Sequence, residues 1–265
     1  MDNNKIFDNH IHFNDDFRYK DANIKQMIEE SYKHNVGGWL CASFDLTSSK
    51  KAVELSEEFD DVYAAVAIHP NEVSNYDKSV IKKLDQLASH QKVVAIGETG
   101  LDYYYTREDE QLQKEFFKAH IDLAIKHNKV LQMHIRDLKD VYEAYDDVIE
   151  IIKDLNRIPK VVHCFSANKE YALKFLELGC YINIGGAVTF KNAKDLQEVV
   201  KVIPLDKLLL ETDAPYLTPH PFRGQLNHPK YIYYTAEKVA ELKNVTVEEV
   251  IKQTTLNSKK LFKID

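Results

Sequence analysis

Short apolar runs rich in Val, Ile and Leu alternate along this chain with longer stretches whose apolar positions recur every three or four residues. The short runs predict strands at Lys5–Asp8, Val36–Ala42, Val62–Ile68, Val93–Gly97, Val130–His134, Lys160–His163, Cys180–Ile184 and Lys207–Leu210. The periodic stretches between them predict helices over Ile24–His34, Lys50–Phe59, Val80–Ser89, Asp109–His127, Leu138–Leu155, Lys169–Leu178, Ala193–Val200 and Lys230–Leu242. A further helix from about Thr246 to Phe262 closes the C-terminus. Regular strand–helix alternation of this kind predicts parallel strands joined by helical crossovers.

Six potential metal ligands punctuate the ends of the apolar runs: His10 and His12 after the first, then Glu98, His134, His163 and Asp213. They follow predicted strands 1, 4, 5, 6 and 8. An open doubly wound sheet would place strands 1 and 8 apart, whereas closure makes them neighbours and turns every candidate toward one mouth. Barrel enzymes build their sites at that C-terminal face. The expected architecture is therefore α/β, a single (β/α)8 TIM barrel with an extra C-terminal helix, and residues 1–265 form one domain. No linker or low-complexity segment interrupts it.

Composition narrows the class. With 44% apolar and 29% charged residues, the chain reads as a globular protein with a large core, and no run approaches the roughly 20 apolar residues of a membrane span. The start MDNNKIFDNHIHF has neither a basic nor an apolar leader region, so no signal peptide is expected. Cys41, Cys164 and Cys180 are few and odd in number, which reads as reduced thiols in a cytoplasmic protein. A formal charge of −7 argues against a protein that wraps nucleic acid, though not against a nuclease whose cations supply the positive charge. One barrel provides every candidate ligand, so a monomer is expected.

On a strand, residues two apart share a face, so the imidazoles of His10 and His12 project together while Ile11 packs the other way. Glu98 lies between Gly97 and Gly100 and offers two oxygens, enough to bridge two cations. Six nitrogen and oxygen donors suit two divalent metals that share a ligand. Such a pair places water beside a phosphoryl or carbonyl centre and lowers its pKa. Asp213, where an apolar strand breaks into A-P-Y-L-T-P, is the expected general base, ahead of Glu211. Asp102 is expected to organise the loop or support a ligand, and Cys164 to pack. Arg136 and Arg223, and more weakly Lys191 and Lys230, are candidate phosphate contacts. The run Tyr103-Tyr104-Tyr105 is suited either to stacking a base or to packing the rim.

The succession D-N-H-I-H, I-H-P-N-E, G-E-T-G-L-D, Q-M-H-I-R-D, H-C-F-S, G-G-A-V-T-F-K-N, E-T-D-A-P-Y-L-T-P and R-G-x-x-N-x-P resembles the TatD family of metal-dependent deoxyribonucleases, within the amidohydrolase-type barrels. The likeness runs from Phe7 to Pro229, with a family-like T-x-N-x-x-x-L-F closing at Phe262. It implies one metal held by His10, His12, Glu98 and Asp213. It implies a second held by Glu98, His134 and His163, with Glu98 bridging. It also implies hydrolysis of DNA or oligonucleotide phosphodiesters with magnesium or manganese, zinc being compatible with the histidines. His69 falls at a substrate-binding position. Asn9, Ala67 and Ala167 depart from the serine, glycine and glycine usual there; none removes a ligand, and the two alanines bear on loop shape and substrate preference. The alternative reading is a two-metal ester or amide hydrolase, such as a deacylase acting on an aminoacyl nucleic acid.

Overall fold

In the computed structural model, which describes residues 2–265, each predicted strand forms. The strands are β1 (Ile6–Ile11), β2 (Val36–Cys41), β3 (Val62–Val66), β4 (Val93–Asp102), β5 (Val130–Arg136), β6 (Lys160–Val162), β7 (Tyr181–Ile184) and β8 (Leu208–Leu210). All pair in parallel with their sequence neighbours, in the order β1 to β8. The crossovers are α1 (Ile24–Lys33), α2 (Leu46–Glu58), α3 (Val80–Ala88), α4 (Glu110–His127), α5 (Glu143–Ile152), α6 (Lys169–Glu177) and α7 (Lys194–Val202). Then α8 (Ile232–Lys243) and α9 (Val247–Phe262) follow the last strand. This is the expected (β/α)8 barrel with its added C-terminal helix. Among the described residues no helix is long and apolar enough to cross a membrane.

Two helices begin elsewhere than the periodicity predicts. Helix α2 starts at Leu46 rather than Lys50 because Asp45 and Ser48 cap each other's backbone N–H groups, at 2.6 and 2.9 Å. Helix α5 starts at Glu143 rather than Leu138, since the Asp137 carboxylate accepts from both Leu138 N and Ala144 N and holds the intervening turn outside the helix.

Side chains help to close the seam between β8 and β1. Asp213 N donates to His10 O at 2.9 Å and His12 N to Ala214 O at 2.8 Å. Below them, the Asn9 amide donates to Leu210 O at 2.7 Å and Phe7 O at 3.1 Å, and the Asp8 carboxylate accepts from Thr212 N at 2.9 Å. Asn9 thus reaches across the seam.

A second buried cluster draws at least one residue from each strand, including Phe7, Leu40, Val161 and Leu209, and is joined by Leu261 and Phe262 of α9. Phe262 packs on Phe7 with ring centroids 6.1 Å apart. Asn257 fixes α9 beneath the barrel by donating to Leu205 O and Leu208 O, both at 2.8 Å. Two residues further along their strands come Asn9, Gln132, His163, Asn183 and Glu211, all buried. The interior therefore changes from an apolar floor to a polar upper layer.

Two register irregularities decide what reaches that layer. Between Asp8 and Ile11, β1 advances three residues while β2 advances two, Trp39 to Cys41. Between Ile96 and Thr99, β4 likewise spends one residue more than its partner β5, Leu131 to Met133. Each extra residue reverses the alternation of side chains, as β-bulges do. Hence Phe7 and His10 both face inward, as do Ala95 and Glu98, although each pair is separated by an odd number of positions.

Candidate metal centre

The strand column Val130–Gln132–His134–Arg136 rises from the floor to the mouth, since alternate residues share a face. Its neighbour β4 brings Glu98 alongside. Gly100 stands opposite His134 with φ +147°, and a Cβ there would lie 2.0 Å from His134 O. Glycine is what allows β4 to come this close to the histidine.

Two groups of donors converge on the two oxygens of Glu98. Its Oε1 lies 3.9 Å from His10 Nε2 and 3.6 Å from His12 Nε2, and Asp213 Oδ1 lies 3.7 and 3.3 Å from the same two nitrogens. Its Oε2 lies 3.3 Å from His134 Nδ1 and 2.9 Å from His163 Nε2. Within each group the facing imidazole nitrogens are 3.1 Å apart. His10, His12, Glu98 and His163 are at most 5% exposed, so these are groups removed from bulk water.

The polar surroundings set the tautomers. His10 Nδ1 is 3.1 Å from Gln132 Oε1 and His12 Nδ1 is 3.1 Å from Ala42 O. Both partners are acceptors, so each Nδ1 carries the hydrogen and each Nε2 turns a lone pair inward. The Asp102 carboxylate faces His134 Nε2 at 3.1 Å, which leaves His134 Nδ1 as the inward donor. Gln132 is itself fixed by donating to Asn9 O at 2.9 Å.

Lone pairs and carboxylates pointed at common centres require positive charge there. Burial drives Glu98 up, but His69, His163 and His134 outweigh it and hold the carboxyl well below its ordinary range. Burial pulls His12 down, yet Asp213 and Glu98 carry it up to about 9, and Asp102 and Glu98 do the same for His134. A proton partly meets the demand; a divalent cation meets it more fully. The donor set therefore fits metal ions, and His10, His12, Glu98 and Asp213 could hold one while Glu98, His134 and His163 hold another.

His69 plays a different part. Its Nδ1 accepts from Asn71 N at 3.1 Å, so the hydrogen sits on Nε2, which is 3.8 Å from Glu98 Oε2. Burial and the neighbouring His134 lower its pKa to about 3, leaving a neutral imidazole whose N–H faces Glu98. Asp102 organises as expected, accepting from Tyr104 N and Asn71 Nδ2, both at 3.0 Å. Glu211 is fully buried, which raises its pKa well above normal. Its oxygens accept from Cys164 N at 2.7 Å and from Asn183 Nδ2, so it props the strand ends instead of meeting substrate.

Arg136 packs on Tyr104 and Tyr105, and Arg223 on Phe190 at 4.4 Å. The Lys230 ammonium is paired with Glu30 Oε1 at 2.7 Å. Lys191 lies in a surface depression with Tyr234 and Glu237 that includes none of the candidate ligands. The tyrosine run divides. Tyr103 is buried with its hydroxyl on Asp147 at 2.9 Å, whereas Tyr104 and Tyr105 are exposed.

Several supports escaped the sequence reading. Gln132 was legible as a polar residue two before His134 inside an apolar run. Asn227, the asparagine of the R-G-x-x-N-x-P motif, had no role assigned from sequence; its amide donates to Thr212 O at 2.9 Å and Tyr216 O at 2.6 Å behind the Asp213 loop. His120 of α4, which accepts from Ile68 N at 3.0 Å and so steadies the approach to His69, lies in none of the motifs.

A family model described as TatD related DNase matches residues 7–263. The chain is 41% identical to the uncharacterized metal-dependent hydrolase YabD of Bacillus subtilis over 98% of this chain and 100% of that protein. Against the uncharacterized metal-dependent hydrolase YcfH of Escherichia coli K12 the identity is 37% over 98% and 96%. The crystal structure of YJJV, a TatD homologue from Escherichia coli, superposes with a TM-score of 0.89 at 27% identity, covering both chains fully. Sequence, barrel and donor set agree, and the chain belongs to the TatD-related DNase family of metal-dependent hydrolases.

Proposed function

We propose that this protein hydrolyses phosphodiester bonds of DNA, using two divalent cations that share Glu98. The observation that carries this reading is the division of labour within one carboxylate: Oε1 faces His10 and His12, and Oε2 faces His134 and His163. Magnesium or manganese at these donors would polarise a phosphoryl oxygen and lower the pKa of the attacking water, and zinc suits the histidines as well.

The chain's own groups supply the rest. Asp213 takes a proton from the water as the water's oxygen attacks phosphorus, the P–O bond to the leaving nucleotide breaks, and the leaving oxygen receives that proton from Asp213. The His69 Nε2–H donates to a phosphoryl oxygen. Arg136 and Arg223 form no ion pair with a carboxylate among the described residues, so their guanidiniums are free to meet phosphate. Those two arginines and the family's description favour a phosphodiester over an ester or amide.

The test is cleavage of an end-labelled single-stranded oligodeoxynucleotide by chelator-stripped protein, with magnesium, manganese or zinc restored and His134→Ala as control. Metal-restored cleavage that the variant lacks supports the proposal. Folded, metal-loaded protein that cleaves no DNA but hydrolyses an aminoacyl ester sinks it in favour of the deacylase reading.

A further inference from the structure

Exposed apolar side chains are not spread evenly over this barrel. Seven of the ten large hydrophobic residues exposed among those described lie on the loops that follow β1, β4, β5 and β8, which frame the candidate metal centre. Two of them, Tyr104 at 43% and Tyr105 at 66% exposure, share a guanidinium: Arg136 sits 4.0 Å from the ring centre of Tyr104 and 4.9 Å from that of Tyr105. Its Nη1 donates to the Tyr105 hydroxyl at 3.2 Å, and the two rings meet edge to face at 4.9 Å.

This group is tied to the metal centre through two bonds of one carboxylate. Asp102 accepts from Tyr104 N and faces His134 Nε2, and in the register of β4 and β5 it stands beside Arg136. Arg136 follows His134 by two strand residues, which places the platform about 7 Å above a candidate ligand. Glu98 and His163, at 5% and 4% exposure, lie at the bottom of the mouth. A phosphate that reaches them leaves the base of the adjoining nucleotide at the height of the two tyrosines. A single strand can make that descent; a base still enclosed in a duplex cannot.

We propose that Tyr104, Tyr105 and Arg136 form a stacking subsite for the unpaired base of the nucleotide adjoining the scissile phosphate. The proposal rests on the nuclease reading for its substrate and adds the group that grips it. Aromatic faces stack any base, and the guanidinium that backs them adds a cation–π contact and a charge toward the backbone. The subsite accordingly recognises a base as such rather than one sequence.

An oligodeoxynucleotide with a terminal 2-aminopurine and a phosphorothioate at the terminal linkage reports stacking without turnover. Its fluorescence should be quenched on binding to the wild-type protein, unquenched on binding to Tyr105→Ala, and quenched again with Tyr105→Trp. On the ordinary oligonucleotide, kcat/KM of Tyr105→Ala should fall about 5- to 150-fold, the worth of one base–aromatic stack, mainly through KM. No quenching by the wild type, or equal quenching by the alanine variant, overturns the subsite. Quenching without cleavage of ordinary DNA under any cation rejects the nuclease reading and leaves the subsite standing. Cleavage without quenching does the reverse.

Discussion

Asp102 touches no substrate, yet replacing it with asparagine should cripple the second donor group. Three hydrogen-bond donors surround its carboxylate: Tyr104 N at 3.0 Å on Oδ1, with Asn71 Nδ2 at 3.0 Å and His134 Nε2 at 3.1 Å on Oδ2. A carboxylate satisfies all three. An asparagine has only one acceptor oxygen, and the backbone N–H of Tyr104 claims it because that donor cannot be reversed. The new amide nitrogen then points at His134, which accommodates it by moving its own hydrogen to Nδ1. That is the nitrogen 3.3 Å from Glu98 Oε2, the one needed as a donor to metal. Losing such support costs about 10- to 100-fold in metal affinity, or about 1.4–2.8 kcal/mol. Isothermal titration of chelator-stripped Asp102→Asn with manganese should therefore show one site weakened by that factor and the other retained. Nitrogen-15 shifts of His134 in the metal-free protein, recorded above its pKa of about 9 where the ring is neutral, should report the changed tautomer. An unchanged binding isotherm with an unchanged tautomer refutes the reasoning.

Glu98→Gln should weaken both sites together, since each Glu98 oxygen faces a different pair of histidines; full activity with two metals retained rules out the bridging role. His120 is buried as a neutral imidazole, with its pKa lowered to about 4 by desolvation. Its folded pKa lies below the unfolded value, so its contribution is complete above pH 6.5 and fades as pH falls through about 4. That amounts to about 3 kcal/mol, and His120→Gln should lose correspondingly less stability between those limits in urea titrations; parallel acid limbs for the two proteins contradict the assignment. Asn9→Ala removes two buried hydrogen bonds at the seam, and its urea midpoint should drop by the equivalent of roughly 2–3 kcal/mol. A loss within experimental error shows that the backbone contacts close the seam unaided.

The alternation of short apolar runs with periodic stretches determined eight strands and their crossovers, because burying a strand and burying one face of a helix leave different periods in the sequence. Residue chemistry at the run ends singled out His10, His12, Glu98, His134, His163 and Asp213, and strand order alone brought the first and last together once the sheet closed. What local pattern does not encode is a pairing register. Simple alternation from Phe7 places His10 on the outer face, and from Ala95 it does the same to Glu98. The irregularities opposite Trp39–Cys41 and Leu131–Met133 turn both inward, and they exist only because a neighbouring strand supplies fewer residues over the same span. Partnership is likewise a matter of three dimensions. Lys230 looks like Arg136 in sequence, but Glu30 neutralises the one while two tyrosine faces hold the other open at the mouth. Gln132, Asp102 and Asn71 orient the ligands across 122, 32 and 31 residues of chain, distances over which only the folded barrel makes them neighbours.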